Sequence, residues 1–299
     1  MKTPLSVVAL GLAAALPSSS YGQPIFFSDN FDSQVTGATV AGWTTVSPTT
    51  ATASRGAVIL DGILPNKFLR VFDTDNANAA RVEQDFTPRS DIHLSLSFRR
   101  NADIAVDPSA ASTTAFYVTI GANGLAQNTQ ANRSLEFRLF SNGQYRINRG
   151  VQDANGNFLN TSLTAAQNFE ASGTTFNDHT LDIYMYDSVA GGGTLAYMGP
   201  DNVARVLDPN SFSVFIDNVF ITPPSNPTAN GNFGIFQTTT YATDNNFGRM
   251  GLVTGGAGAL VGFDYLVDNV VLAGVVPEPS AFALLGLGSM LFALRRRRA

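Results

Sequence analysis

The residue types that carry acid–base and nucleophilic chemistry are scarce in this sequence. It has no cysteine and two histidines, His93 and His179. Neither histidine stands in an H-E-x-x-H zinc motif, and no G-x-S-x-G nucleophile elbow occurs. Between residues 23 and 275 there are three glutamates, so a two-carboxylate sugar hydrolase would have to recruit aspartate. No base can be paired with a nucleophile from the spacing, and no catalytic residue is assigned. His93 falls on the polar face of an alternating stretch, where solvent exposure is expected. His179 precedes another such stretch, where it is expected to cap a turn.

Oxygen donors are plentiful by contrast. Nineteen aspartates lie between residues 23 and 275, and carboxylates suit hard cations such as Ca²⁺. The run Asp73-Thr74-Asp75-Asn76-Ala77-Asn78 lacks the glycine and distal glutamate of an EF-hand loop, so a solvated turn is expected there. Trp43, the only tryptophan, is expected in the core. Tyr117, Tyr145, Tyr184 and Tyr186 lie in strand-like stretches and are candidates to line a sugar-binding face.

Charge narrows the partners. Residues 23–275 hold one Lys and twelve Arg against nineteen Asp and three Glu, a net charge of −9. The whole-chain value of −5 hides this, because four arginines sit at the extreme C-terminus. An acidic surface excludes nucleic acid and anionic membrane as preferred partners and is compatible with divalent cations or neutral polysaccharide. A chain of 299 residues can bury enough apolar surface to fold without disulfides.

The elements that must position these residues are strands. Strand-like runs are 57–60, 68–72, 80–86, 92–100, 116–120, 135–140, 145–149, 180–186, 194–198, 212–221, 233–237, 260–264 and 266–272. In Ile92-His93-Leu94-Ser95-Leu96-Ser97-Phe98 every apolar residue falls on one face. Leu135 to Phe140 alternates likewise and turns through Ser141-Asn142-Gly143-Gln144 into Tyr145-Arg146-Ile147, as a hairpin would. Many strands with one wet face and one apolar face predict an all-β, two-sheet antiparallel sandwich. A short helix is expected over 164–169, and a loop over 222–227. Phe215-Ile216-Asp217-Asn218-Val219-Phe220-Ile221 and Leu266-Val267-Asp268-Asn269-Val270-Val271-Leu272 echo each other as similar strand chemistry.

The two ends differ from this body. Met1 to Gly22 has the Lys2 n-region, an apolar core over Leu5 to Leu16, Pro17, and the Ser20-Tyr21-Gly22 cleavage site of a secretory signal peptide. At the other end stand Val276-Pro277-Glu278-Pro279, fifteen uncharged residues from Ser280 to Leu294, and Arg295-Arg296-Arg297-Arg298. As a helix the uncharged stretch would be roughly 22 Å long, a short membrane span. The arginines would stop its transfer and keep the end cytoplasmic. Three segments follow: 1–22 signal peptide, 23–275 sandwich domain, 276–299 tail with a short transmembrane helix.

That tail resembles the PEP-CTERM sorting signal of Gram-negative bacteria. The resemblance implies recognition of Pro277, Glu278 and Pro279 by an exosortase, transient anchoring in the inner membrane, and delivery to the surface or matrix in a setting of exopolysaccharide and biofilm. The body resembles concanavalin A-like (LamG-like) jelly-roll domains. The likeness rests on Phe27-Ser28-Asp29-Asn30-Phe31-Asp32 with Gly42-Trp43, on His179 to Tyr184 leading to Phe212 to Asp217, and on Val267-Asp268-Asn269-Val270. A galactose-binding-like sandwich is the alternative topology. The jelly-roll resemblance implies a structural Ca²⁺ on Asp29, Asp32 and Asp268. Glucanases of that fold carry Glu-x-Asp-x-x-Glu; Glu83-Gln84-Asp85 begins that pattern, but Pro88 occupies the place of the second glutamate. The expected function is a non-enzymatic, exosortase-sorted module associating with exopolysaccharide. The alternative is a secreted glycoside hydrolase or polysaccharide lyase.

Overall fold

The computed structural model describes residues 24–275, apart from 53, 62–65, 75–77, 102–114, 128–131, 141–142, 153–157, 163, 166, 171–175, 189–191, 225–226, 235–246 and 255–262. The expected signal helix, the tail helix, Pro277 to Pro279 and the arginine cluster lie outside the described residues. Among the described residues no helix is long and apolar enough to cross a membrane.

In chain order the strands are β1 (Ile25–Asp29), β2 (Thr45–Ser47), β3 (Arg55–Asp61), β4 (Lys67–Asp73), β5 (Arg81–Arg89), β6 (Asp91–Arg100) and β7 (Ala115–Gly121). Then come β8 (Arg133–Phe140), β9 (Gln144–Gln152), β10 (Phe158–Ser162), β11 (Gln167–Asn168), β12 (His179–Tyr186) and β13 (Leu195–Met198). The last are β14 (Ala204–Leu207), β15 (Ser211–Ile216), β16 (Val219–Phe220), β17 (Phe233–Gly234), β18 (Phe247–Thr254) and β19 (Phe263–Ala273). The first sheet runs β16-β15-β12-β6-β19-β4-β3, with β1 added on β19 and β17 on β15. The second runs β10-β9-β8-β7-β18-β5-β2, with β11 added on β9. The chain crosses between the two sheets repeatedly, from β1 to β2, β2 to β3, β4 to β5, β5 to β6, β6 to β7, β11 to β12, β17 to β18 and β18 to β19, the winding of a jelly-roll sandwich.

The alternation in β6 does what its pattern requires. Ile92, Leu94, Leu96 and Phe98 are buried between the sheets, and the residues between them face outward. Facing strands of the second sheet supply Val82, Val118, Ile120, Leu135, Phe137 and Ile147 to the same core. Each such aliphatic or aromatic side chain contributes about 1.5–3 kcal/mol when fully buried. Tyr265 on β19 crosses the interior: its ring stacks on Phe116 of β7 at 5.1 Å, and its hydroxyl donates to the Phe140 carbonyl at 2.7 Å.

A hairpin of β13 and β14 forms a two-stranded sheet of its own. Its Tyr197 and Leu207 pack with Tyr184, Phe215 and Val275 in a second apolar cluster. This explains why β15 is buried along its whole length instead of alternating.

Four local expectations are corrected. The stretch 212–221 is two strands, because Asp217 and Asn218 take positive φ of 51° and 63° and turn β15 into β16. The stretches 260–264 and 266–272 contribute to one strand, β19, with a register shift between Asp268 and Val271. No helix forms among the described residues of 164–169; Gln167 and Asn168 instead pair with Tyr145 and Gln144. Asp73 is buried at the end of β4, where it accepts from Thr254 Oγ1 at 2.6 Å and from the Ala80 N–H at 3.2 Å.

Candidate functional site

Antiparallel pairing of β1 with β19 sets Asp29 opposite Val270. Asp29 closes the turn that follows. Its Oδ1 accepts the Phe31 N–H at 2.8 Å, and its Oδ2 accepts the Gln34 amide at 2.7 Å and the Trp43 indole N–H at 3.0 Å. Trp43 is buried as expected, edge-on to Phe27 at 5.0 Å. Asp32 accepts the Lys67 N–H at 3.0 Å and the Asn30 amide at 3.0 Å. Asp268 accepts the Asn269 N–H at 2.7 Å. Burial, and then the charges of Asp32, Asp178 and Asp29, hold the Asp268 carboxyl above its ordinary value. The three aspartates thus form an electrostatic group, and each also works within its own turn. Among the described residues no three His, Asp or Glu side chains are grouped as a metal-ligand set.

His93 is not exposed. Its Nε2 lies 2.9 Å from Asp182 Oδ1, and its ring stacks on Tyr184 with centroids 4.0 Å apart and planes 8° from parallel. Cross-strand pairing explains this, since Tyr184 on β12 stands directly opposite His93 on β6. His179 does not precede the strand but opens β12, buried opposite Phe98, and its ring reaches the β15–β16 turn. Its Nδ1 is 2.7 Å from Asp217 Oδ2, and its Nε2 is 3.3 Å from Glu170 Oε1.

All three glutamates of the body are buried, and each is held by arginine. Glu170 accepts Arg100 Nε at 2.7 Å. Glu83 accepts Arg249 Nη1 at 3.0 Å and the Gln127 N–H at 2.6 Å. Glu136 is bonded by Arg133 and Arg138 and accepts Asn148 Nδ2 at 3.1 Å. Glu83 and Glu136 lie on the outer face of the second sheet, in one row: Glu83 on β5, Gly251 on β18, Thr119 on β7, Glu136 on β8, Asn148 on β9. Three inter-strand steps of ~4.8 Å separate the two, about 14 Å in all. Asp85, two residues from Glu83 on the same face, is gripped by the same guanidinium, with Arg249 Nη2 donating at 2.6 Å. That hydrogen bond is the largest cause holding the Asp85 carboxyl below its ordinary value.

The candidate tyrosines separate. Tyr145 and Tyr184 are buried, in the main core and the second cluster respectively, and half-buried Tyr186 packs on that cluster. Tyr117 alone among the four lies on the outer face of the second sheet, with the guanidinium carbons of Arg133 and Arg138 at 4.8 and 5.2 Å from its ring centre. Sequence reasoning did not single out these arginines. Alternation in Leu135-Glu136-Phe137-Arg138-Leu139 does signal which face they occupy, but the cross-strand register that groups them is not written in any one strand.

Comparison with solved structures finds sandwich neighbours at low identity. A sialidase matches over 84% of this chain and 19% of its own, at 13% identity and a TM-score of 0.47. The cellulose-induced protein Cip1 matches over 83% and 96%, at 10% identity and 0.46. Alginate lyase A1-II', of polysaccharide lyase family 7, matches over 70% and 80%, at 7% identity and 0.40. This chain spans about a fifth of the sialidase. No curated protein matches the sequence. A family model, the PEP-CTERM protein-sorting motif, matches residues 275–298 and covers the Pro-Glu-Pro, the apolar stretch and the arginines. The jelly-roll body is therefore followed by a PEP-CTERM protein-sorting motif, a signal for exosortase-dependent sorting to the cell surface.

Proposed function

We propose that the chain is an exported surface or matrix protein that associates with exopolysaccharide and has no catalytic activity of its own. The sorting motif at 275–298 carries this reading. In it Met1 to Gly22 directs export, an exosortase acts at Pro277 to Pro279, and Ser280 to Arg298 anchors the precursor transiently in the inner membrane. The non-enzymatic part is supported by the fate of the carboxylates. Retaining and inverting glycosidases place two carboxyls about 5–10 Å apart around the scissile bond. Glu83 and Glu136 stand on strands three steps apart and are each bound by arginine, and the closer Glu83 and Asp85 are bridged by Arg249. The rival reading, a secreted glycoside hydrolase or polysaccharide lyase, needs an acid and a base that face substrate. It predicts product release from the host's polysaccharide.

The same reading takes in a structural Ca²⁺ on Asp29, Asp32 and Asp268. The buried, charge-crowded Asp268 supports a cation there. The three donors already bonded to Asp29 restrict that residue to a minor share.

The test is fractionation of the native host with wild-type chain and with Glu278→Ala. Wild type is expected in the surface or matrix fraction, shortened at the C-terminus, and the variant in the membrane fraction at full length. Identical fractionation overturns the sorting half. A pull-down with the host's own exopolysaccharide, blank with and without Ca²⁺, removes the binding half.

A further inference from the structure

The net charge of the body favours a neutral polymer, but its charges are not evenly spread. On the outer face of the second sheet one row crosses five strands. Arg81 of β5 is opposite Val253 of β18, Val253 is opposite Tyr117 of β7, Tyr117 opposite Arg138 of β8, and Arg138 opposite Arg146 of β9. Four steps of ~4.8 Å make the row about 19 Å long. The arginine side chains remain partly open, 25% for Arg81 and 18% for Arg138, and Arg146 is half-buried, whereas Val253 between Arg81 and Tyr117 is buried. Rings hold the guanidinia in place: Arg138 lies over Tyr117 at 5.2 Å, and Arg146 over Phe140 at 5.6 Å. Two of the row's arginines already face a carboxylate: Arg138 contacts Glu136 through its Nε, and Arg81 Nη1 stands 3.7 Å from Glu83 Oε1.

A second observation points to a ligand on this face. Among the described residues Arg146 Nε and Asn148 Oδ1, two residues apart on β9, are buried with no hydrogen-bond partner. Asn148 is 1% exposed. Folded proteins leave few such atoms. Here a donor that wants an anion and an acceptor that wants a hydroxyl lie together at the β9 end of the arginine row. A neutral glucan brings only hydroxyls, and a single small anion cannot fill a row of that length. A polymer of uronic acids brings both, because a carboxylate matches the guanidinium fork and each ring carries hydroxyls.

We propose that the row Arg81, Arg138 and Arg146, with Asn148 beside Arg146, binds an acidic, carboxylate-bearing polysaccharide laid across strands β5 to β9. This rests on the polysaccharide-associated reading above and specifies its ligand class. Tyr117 is a positioning residue, since its ring lies against the guanidinia of Arg133 and Arg138.

The test is affinity electrophoresis of the full chain in gels containing polygalacturonate or dextran. Retardation by polygalacturonate alone is expected, and it should weaken with added salt. Arg146→Gln is the variant of choice, because among the described residues Arg146 is bonded to no carboxylate that its loss would strand. It is expected to weaken binding roughly tenfold, the worth of one charged hydrogen bond, with Arg146→Lys in between. Equal retardation by dextran, none by polygalacturonate, or unchanged binding in folded Arg146→Gln overturns the proposal. If Arg146→Gln does not fold, the two-polymer comparison on the wild-type chain still decides. Retention on the host's own exopolysaccharide separates the two levels. Equal retention of wild type and Arg146→Gln removes this row and leaves the association standing, whereas no retention of wild type removes the association itself.

Discussion

The indole N–H of Trp43 donates to Asp29 Oδ2 at 3.0 Å, so the chain's single tryptophan is tied to the strand that opens the fold. Asp29 also fixes Phe31, whose φ is +59°, through a 2.8 Å bond to its N–H. Asp29→Ala strands a buried indole donor and frees a strained turn. The expected cost is about 1–3 kcal/mol. Urea unfolding followed by tryptophan emission reads it directly, and the native emission of the variant should shift to the red. An unchanged midpoint and spectrum would show that the ring contacts with Phe27 and Phe31 hold Trp43 without the hydrogen bond.

The same region shows what was legible in the sequence. The first-strand likeness at Phe27 to Asp32 and the burial of Trp43 follow from local pattern, as does the face assignment of β6. β18 does not. Its sequence Phe247 to Thr254 contains Gly248 and Gly251, which lower strand propensity, yet it pairs with both β5 and β7. A Cβ at Gly251 would meet Thr119 Oγ1 at 2.7 Å and the Gln127 side chain at 2.8 Å, so close packing from distant residues demands the glycine. The two Asp-Asn echoes looked alike and differ in structure. Asp217-Asn218 makes a tight turn, while Asp268-Asn269 sits where the β19 pairing with β6 shifts register. His93 misled for a related reason: its alternation is correct, but a hairpin more than a hundred residues later covers that side of the sheet. Both the β18 glycines and the arginine row depend on cross-strand register, which no single stretch encodes.

Arg249 joins two carboxylates on the outer face of the second sheet. Arg249→Met leaves Glu83 buried beside Asp85 with its principal cation gone. Breaking a buried ion pair in this way costs about 3–5 kcal/mol, to be measured as a shift in urea midpoint at neutral pH. The acid limb carries a second signature. Asp85 is held below its ordinary value of 3.8 chiefly by the hydrogen bond from Arg249. Its contribution is fully present above 3.8 and is lost as pH falls through the lower native value. That part of the acid dependence should be missing from the variant.

The second cluster predicts behaviour at the alkaline end. Burial pushes the Tyr197 phenol up to about 12, and burial likewise raises Tyr184 beside it, ring centroids 4.4 Å apart. The native state therefore keeps protons that the unfolded chain gives up near 10.0, and stability must fall as pH rises above that value. Tyr197→Phe should flatten part of the decline in a series of thermal melts. Tyr184→Ala should do more, since it empties the floor under the hairpin at a cost of about 3–5 kcal/mol at neutral pH. A decline unchanged by either substitution would place the alkaline sensitivity elsewhere.

Asp268 gives the opposite sign to Asp85. Burial first, then the charges of Asp32, Asp178 and Asp29, raise its carboxyl above the ordinary 3.8. The native state binds that proton more tightly than the unfolded chain, so stability falls as pH climbs from 3.8 through the raised native value. Asp268→Asn removes the penalty and keeps an oxygen for the Asn269 N–H. The variant should melt slightly higher than wild type at neutral pH in chelator, with the difference vanishing below 3.8. A divalent cation would relieve the same penalty by neutralising the charge. If Ca²⁺ occupies the group, millimolar Ca²⁺ raises the Tm of wild type by linkage and leaves Asp268→Asn unmoved. A wild-type Tm indifferent to Ca²⁺, beside a variant that melts higher, would mean that the crowded carboxylates are an uncompensated cost of closing β1 onto β19.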